Sequence, residues 1–292
     1  VESNDTPKAT ISTRGSVFNV VGMESKEFPP LPELKEQKEF DLDRQEVVSM
    51  LKSVSYAQSV NEERYMLKGV FFQFAKDRLS LVATDGRRLA VTRREMSVSE
   101  GDEGEFILPS LTVSELEKLP AVGESVSISF TDRQVAFELK IENNDDETTG
   151  FRDSVYLVSK VVEGKYPNYK QVIPKDDFNA AEIERELMQE CVHRAALVSD
   201  EKVTLRIKKN EMEITGQSSL GDACESMGIG YEGEEATVSF NPRFLLDPLR
   251  SLQRDKVTLE FRDDMSPGVF KVQKEADAKQ SFLCVVMPIR TD

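Results

Sequence analysis

The 292-residue chain holds one histidine and three cysteines, too few to supply a metal site or a disulfide frame. Cys191, Cys224 and Cys284 are odd in number and show no paired spacing, so they read as buried thiols in a reducing cytoplasm. With His193 the sole imidazole, zinc has no ligand set. No apolar run approaches the roughly 20 residues of a membrane helix, and no signal peptide is expected at the start. A nucleophile elbow and a phosphate loop are also missing. What remains for acid–base chemistry is Asp85 near Arg88, or Asp200 beside Glu201, and carboxylates at turns usually serve the turn. The chain is therefore expected to be non-catalytic and to need no cofactor. Basic residues are outnumbered 38 to 53, giving a net charge of −15. Summed over the surface, this argues against nonspecific nucleic-acid binding; it leaves room for an acidic outside with a basic groove or hole.

What is present centres on residues 81–91, LVATDGRRLAV. Two short apolar runs flank Asp85-Gly86, the strongest short hairpin signal, because glycine accepts positive φ at no steric cost. Before it, residues 9–12 and 16–21 suggest a hairpin turning at Arg14-Gly15. Asp43 is placed to cap a helix carrying Val47, Met50, Leu51 and Val54 on one face. Strands are expected over 65–74, across the Asp85-Gly86 hairpin and at 106–109. A helix is expected over 110–119 with Val113, Leu116 and Leu119 inward, then a hairpin over 126–130 and 134–141. Residues 142–149, ENNDDETT, form an acidic tip, and 154–162 a strand. The pattern then restarts. Phe178 is expected to open a helix with Ile183, Leu187, Cys191 and Ala195 on one face, and Arg185, Gln189 and His193 on another. Strands at 203–207 and 212–216 follow, then a helix over 242–252, a hairpin over 257–261 and 269–272, and a last strand over 281–287.

These passages are one unit written twice. Phe40 answers Phe178, residues 106–109 answer 240–242, residues 80–84 answer 212–215, and residues 155–158 answer 282–285. A third trace lies at the front, where 16–20 answers 154–158 and Phe28-Pro29 answers Tyr166-Pro167. Two helices and about eight strands per unit make an α+β architecture, with helices packed on antiparallel sheets.

Four motifs carry a family resemblance: ATDGRRLA at 83–90, GKYPNY at 164–169 with Val172-Ile173-Pro174, FLLD at 244–247, and VVMPIR at 285–290. Taken in order over essentially the whole chain, they resemble the bacterial sliding clamps, the β subunits of DNA polymerase III. The resemblance implies three similar domains per subunit, with residues 1–36 ending the first, 37–174 forming the second and 175–292 the third. It implies a homodimeric ring around duplex DNA in a cytoplasmic protein, with no membrane partner. It further implies that polymerase, clamp loader and repair proteins insert short linear motifs between the second and third domains. Carried over by position, that pocket comprises Leu67, Thr84, Gly86, Arg88, Leu89, Pro167, Val172, Val203, Asn241, Phe244, Met265, Val285, Val286, Met287 and Pro288. The residues facing DNA would be Lys52, Arg64, Tyr65, Arg185, Gln189, His193, Arg243, Arg250 and Arg254, meeting phosphates without reading bases. Subunit contact would fall on Phe18 and Val20 on one side and Leu197 and Val198 on the other. With the first domain represented only by a hairpin, the chain itself is expected to be mainly monomeric. Two departures stand out. Ser110-Leu111 with Glu115 and Glu117 replace basic residues at the second helix, and Pro248 lies where it should kink or end the fourth. The rival reading is an acidic peptide-binding adaptor that never encircles DNA.

Overall fold

The computed structural model describes residues 2–3, 8–30, 32, 34, 37–118, 123–140, 154–175, 178–219, 221–272 and 280–290. The acidic tip at 142–149, together with Leu119 and Ile141, lies outside the described residues. The chain divides into two compact units, Val1–Lys35 and Glu36–Asp292.

The first unit is a three-stranded antiparallel sheet of β1 (Glu2–Ser3), β2 (Lys8–Ser12) and β3 (Val17–Val21). Its hairpin turns where Arg14-Gly15 predicts, with the Thr13 N–H donating to the Ser16 carbonyl at 2.9 Å. Val17, Phe18, Val20 and Val21 are all exposed.

In the second unit one order of elements occurs twice. The first pass is β4 (Lys38–Asp43), α1 (Arg44–Ser55), β5 (Gly69–Ala75), β6 (Arg78–Thr84), β7 (Arg88–Glu95), β8 (Gly104–Pro109), α2 (Ser110–Lys118), β9 (Ser125–Phe130), β10 (Gln134–Lys140) and β11 (Ser154–Lys160). The second is β12 (Asn179–Glu184), α3 (Arg185–Ala196), β13 (Val203–Lys208), β14 (Glu211–Ser218), β15 (Gly221–Gly228), β16 (Ala236–Phe240), α4 (Pro242–Ser251), β17 (Lys256–Phe261), β18 (Gly268–Lys271) and β19 (Gln280–Val286). Strand pairing repeats as well: β11-β10-β9-β4 answers β19-β18-β17-β12, and β8-β5-β6-β7 answers β16-β13-β14-β15. The halves join because β19 pairs antiparallel with β7, from Gln280 opposite Arg94 to Val286 opposite Arg88. This makes one eight-stranded sheet, β12-β17-β18-β19-β7-β6-β5-β8. The last strand of one repeat thus completes the central hairpin of the other.

Asp43 caps α1 as its position predicts, its Oδ1 accepting from the Glu46 N–H at 2.7 Å. Four expectations need correction. Residues 179–184 form a strand, not the first turns of a helix: Ala181 and Ile183 alternate inward with period two, and the helix begins at Arg185. Leu187 consequently faces out, and Met188, Cys191, Val192 and Ala195 fill the buried face. Residues 62–67 form a 3-10 segment, so the strand expected from Tyr65 begins only at Gly69. Finally, α4 runs through Pro248 to Ser251, because Leu245, Leu246, Pro248 and Leu249 are all buried and packing outweighs the lost backbone bond.

Each half has its own core, and a third cluster lies at their junction. The first half centres on stacked rings of Phe40, Phe74, Phe106 and Phe130. The second surrounds Phe240, Phe261 and Phe270 with aliphatic residues from α3 and α4. The third draws Leu67, Phe71, Val82, Leu89, Tyr166 and Tyr169 from one half and Val269 and Val285 from the other. The helices also run on across the halves, with contacts α2–α1, α1–α4 and α4–α3.

Candidate functional site

The β6–β7 turn is built by its own side chains. Asp85 Oδ1 accepts from the backbone N–H groups of Arg87 and Arg88 at 2.8 and 3.0 Å. The Thr84 hydroxyl donates to the Arg88 carbonyl at 2.6 Å and accepts from the Gly86 N–H at 3.1 Å. Gly86 has φ +86°, a conformation that favours glycine, and a Cβ there would lie 2.5 Å from the flexible end of Arg64, which would have to shift. Arg64 reaches this turn from the 3-10 segment and donates to the Asp85 carbonyl at 3.2 Å.

The C-terminal tail then ties the turn to the second half. The Met287 N–H donates to the Arg87 carbonyl at 3.0 Å, and the Ile289 N–H to the Ser239 carbonyl at 2.8 Å. On the other side, the segment after β11 folds back over the sheet, where Tyr166 stacks on Phe71 at 4.8 Å between centroids. Burial pushes the Tyr166 hydroxyl well above its usual pKa. Val172, Met265 and Met287 stand out at this seam, 56%, 54% and 47% exposed.

Arg88 crosses the seam. Its Nε donates to Asp85 Oδ2 at 3.1 Å, Nη1 to Asp247 Oδ2 at 2.5 Å and Nη2 to the Tyr56 carbonyl at 2.6 Å. The guanidinium lies 4.6 Å from the Phe244 ring centroid and 5.3 Å from that of Tyr56. Behind it, burial raises the Tyr56 hydroxyl well above its ordinary pKa and the Cys284 thiol to about 12.

The seam therefore brings together Thr84, Gly86, Arg88, Phe244 and Met287 by direct contacts, with Asn241 capping the helix that carries Phe244. Pro167 and Val172 belong to the fold-back segment and are exposed, and Pro288 is half-buried in the tail. Met265 sits in the turn before β18, where Gly268 pairs with Val286. Leu67, Leu89, Val203, Val285 and Val286 are buried in the cores and offer no open surface. β7 and β19 are covered on both faces, and Met287 is exposed because it lies just past the end of β19.

Residues 41–168 match the family model for the DNA polymerase III beta subunit, central domain, and residues 170–290 match that for its C-terminal domain. The chain belongs to this family of sliding clamps. It is 28% identical over 294 residues to the beta sliding clamp of Chlamydia pneumoniae, which covers 99% of this chain and 75% of that one. Among solved structures, the DNA polymerase III beta subunit of Thermotoga maritima is 26% identical with a TM-score of 0.81, covering 99% of this chain and 76% of that one. A sliding clamp from Bartonella birtlesii, solved bound to griselimycin, is 26% identical with a TM-score of 0.84, covering 98% and 75%.

On this clamp the residues expected to face DNA fall into three groups. Lys52, His193, Arg243, Arg250 and Arg254 are exposed on or beside the helices, and Gln189 is half-buried. His193, Leu197, Arg243 and Arg250 line one groove of about 320 Å³ between α3 and α4, shared with Asp200 and Asp247. Arg64, exposed in the 3-10 segment, touches the hairpin turn through Asp85, and Tyr65 is exposed beside it. Arg185 is corrected: it is a structural tie. Its Nε donates to the Arg254 carbonyl at 2.6 Å and its Nη1 to the Leu249 carbonyl at 3.2 Å, closing the open end of α4. Arg44 does the same in the first half, its Nε donating to the Gly123 carbonyl at 3.0 Å. Both open their helices directly after a strand, a repeat signal present in the sequence and missed. Changing Arg185 to Ala is expected to cost about 1–2 kcal/mol, since one part-buried and one exposed carbonyl lose a charged donor. Lys should not restore it, while Lys52→Ala leaves the melting midpoint unchanged by calorimetry.

Of the residues expected at a subunit contact, Phe18 and Val20 are exposed on the first unit. Leu197 is 74% exposed just beyond α3, and Val198 is half-buried.

Proposed function

We propose that this clamp acts within a ring of two three-domain subunits closed on duplex DNA, holding polymerase, clamp loader and repair factors through short linear motifs at the seam, while residues 1–292 alone are mainly monomeric. Residues 37–174 and 175–292 would be its second and third domains, and the helices α1 to α4 would face the DNA. The observation that carries the reading is the seam. A hairpin turn, a tail stitched to both halves and the Phe244 ring held by Arg88 meet at it, with Met287 exposed at the start of the tail. Flexible methionines with a few fixed polar groups suit an adaptable peptide site. The exposed cations Lys52, His193, Arg243 and Arg250 would meet phosphates, a sequence-blind contact suited to sliding. The role requires no chemistry, and the setting would be the cytoplasm.

The test is topological. Loaded on nicked circular duplex, the three-domain subunit is expected to remain bound through gel filtration and to run off once the DNA is cut. Equal loss from both forms would leave only the peptide-binding adaptor. Arg243→Glu with Arg250→Glu is expected to reduce loading about tenfold at moderate salt. Because both side chains are exposed, the melting midpoint should not move.

A further inference from the structure

We propose that Arg88 is a positioning residue for the seam, setting the place and tilt of the Phe244 ring without itself meeting the incoming chain. The inference rests on the seam being a peptide site. Its first support is that all three guanidinium nitrogens are already engaged. Nε, Nη1 and Nη2 donate to Asp85, Asp247 and the Tyr56 carbonyl, and only 10% of the side chain is exposed. Three of the five N–H donors serve the protein, and the fork as a whole is largely covered.

The second support is where those partners lie. Asp85 is in the β6–β7 turn, the Tyr56 carbonyl closes α1, and Asp247 and Phe244 are on α4 of the other half. One planar group therefore spans three elements from both repeats, and its two faces lie against aromatic rings. Asp247 is on the same helix as Phe244, three residues further on, so the ion pair and the ring contact hold that helix from one side. Removing the fork frees α4 to shift against the turn, and a site misplaced by even ~1 Å loses much of its complementarity. Asp85 remains held by two backbone N–H groups, so the turn itself should survive.

The test uses a fluorescein-labelled peptide carrying Gln-Ala-Ala-Leu-Phe, titrated against the unaltered protein, Arg88→Met, Asp247→Asn and the double variant. Each single change is expected to weaken binding about tenfold, and the double variant to bind no more weakly than Arg88→Met, since both break one tie. Arg88→Lys should restore little, because an ammonium cannot replace a fork that bonds three acceptors and stacks on two rings. Asp247→Asn keeps shape and most packing, so it reads the tie should Arg88→Met fold poorly. The chain has no tryptophan, so Phe244→Trp makes a single reporter. Arg88→Met in that background is expected to shift its emission before any peptide is added, which a change in stability alone would not do. Weakening by Arg88→Met with Asp247→Asn at full affinity would assign Arg88 a direct contact and overturn the proposal. Unchanged affinity in both variants, with a lower melting midpoint, would reduce it to a stability tie. Absence of peptide binding by the unaltered protein would sink the reading of the seam, and this inference with it. Binding by the unaltered protein alongside unchanged variants would sink this inference alone.

Discussion

Replacing Phe74 with alanine is expected to lower the melting midpoint by roughly 10 °C. The ring is 1% exposed and is packed among Phe40 at 4.1 Å, Phe130 at 5.3 Å and Phe106 at 6.5 Å between centroids. Removing a buried phenyl group costs about 3–5 kcal/mol, from lost transfer energy and from the cavity left behind. For a chain of this size each kcal/mol is worth roughly 2–4 °C. The stack unites β4, β5, β8 and β9, so the loss is shared by both sheets of the first half. Leu111→Ala, at a 74% exposed position opening α2, is the control and should move the midpoint by less than about 1 kcal/mol. A shift in Phe74→Ala no larger than in that control would mean the stack is not the centre of the core.

The repeat was legible because it rests on local chemistry written twice. Apolar alternation in β6 and β14, the Asp43 cap and the Asp85-Gly86 turn need no distant partner to declare themselves. Other elements depend on tertiary pairing. β15 reads as polar (GDACESMG) because most of its residues are exposed, and it becomes a strand by pairing with β14 from Glu211–Gly228 to Ser218–Gly221. β12 was absorbed into the following helix because Ile183 also fits a helical face; its pairing with β17 decides the matter.

At the seam, residue identity was legible and exposure was not. Thr84, Gly86, Arg88, Phe244 and Met287 do meet, but Leu89, Val203, Val285 and Val286 belong to cores. A strand presents alternate residues to opposite faces, and here both are covered: Leu89 and Val285 join the cluster of Tyr166 and Tyr169, and Val203 and Val286 the second core, by partners distant in sequence. Arg185 is less exposed than a helix-face position suggests for a related reason. An arginine on a helix face looks solvated until its carbonyl partners, here Leu249 and Arg254, are known.

A Gln-Ala-Ala-Leu-Phe peptide is expected to bind the seam with micromolar affinity, and the double variant Met287→Ala, Val172→Ala to bind about 10- to 30-fold more weakly. Burying the peptide's Leu and Phe is worth roughly 3–6 kcal/mol before the cost of ordering a flexible chain is subtracted. On the protein side, Val172 and Met287, with Met265, are the exposed apolar groups at the seam, because the neighbouring Leu89, Val285 and Val286 are already buried. Truncating both removes about 1.4–2 kcal/mol of apolar contact, which is the stated loss. Neither side chain supports a core, so the melting midpoint should hold while affinity falls. Met287 also keeps its backbone bond to Arg87 when its side chain is cut, leaving the tail in place. The control is Met23→Ala, a still more exposed methionine on the first unit, which should bind as the unaltered protein does. Titration by fluorescence polarisation separates the outcomes. A double variant that binds as tightly as the Met23→Ala control would move the site away from the seam.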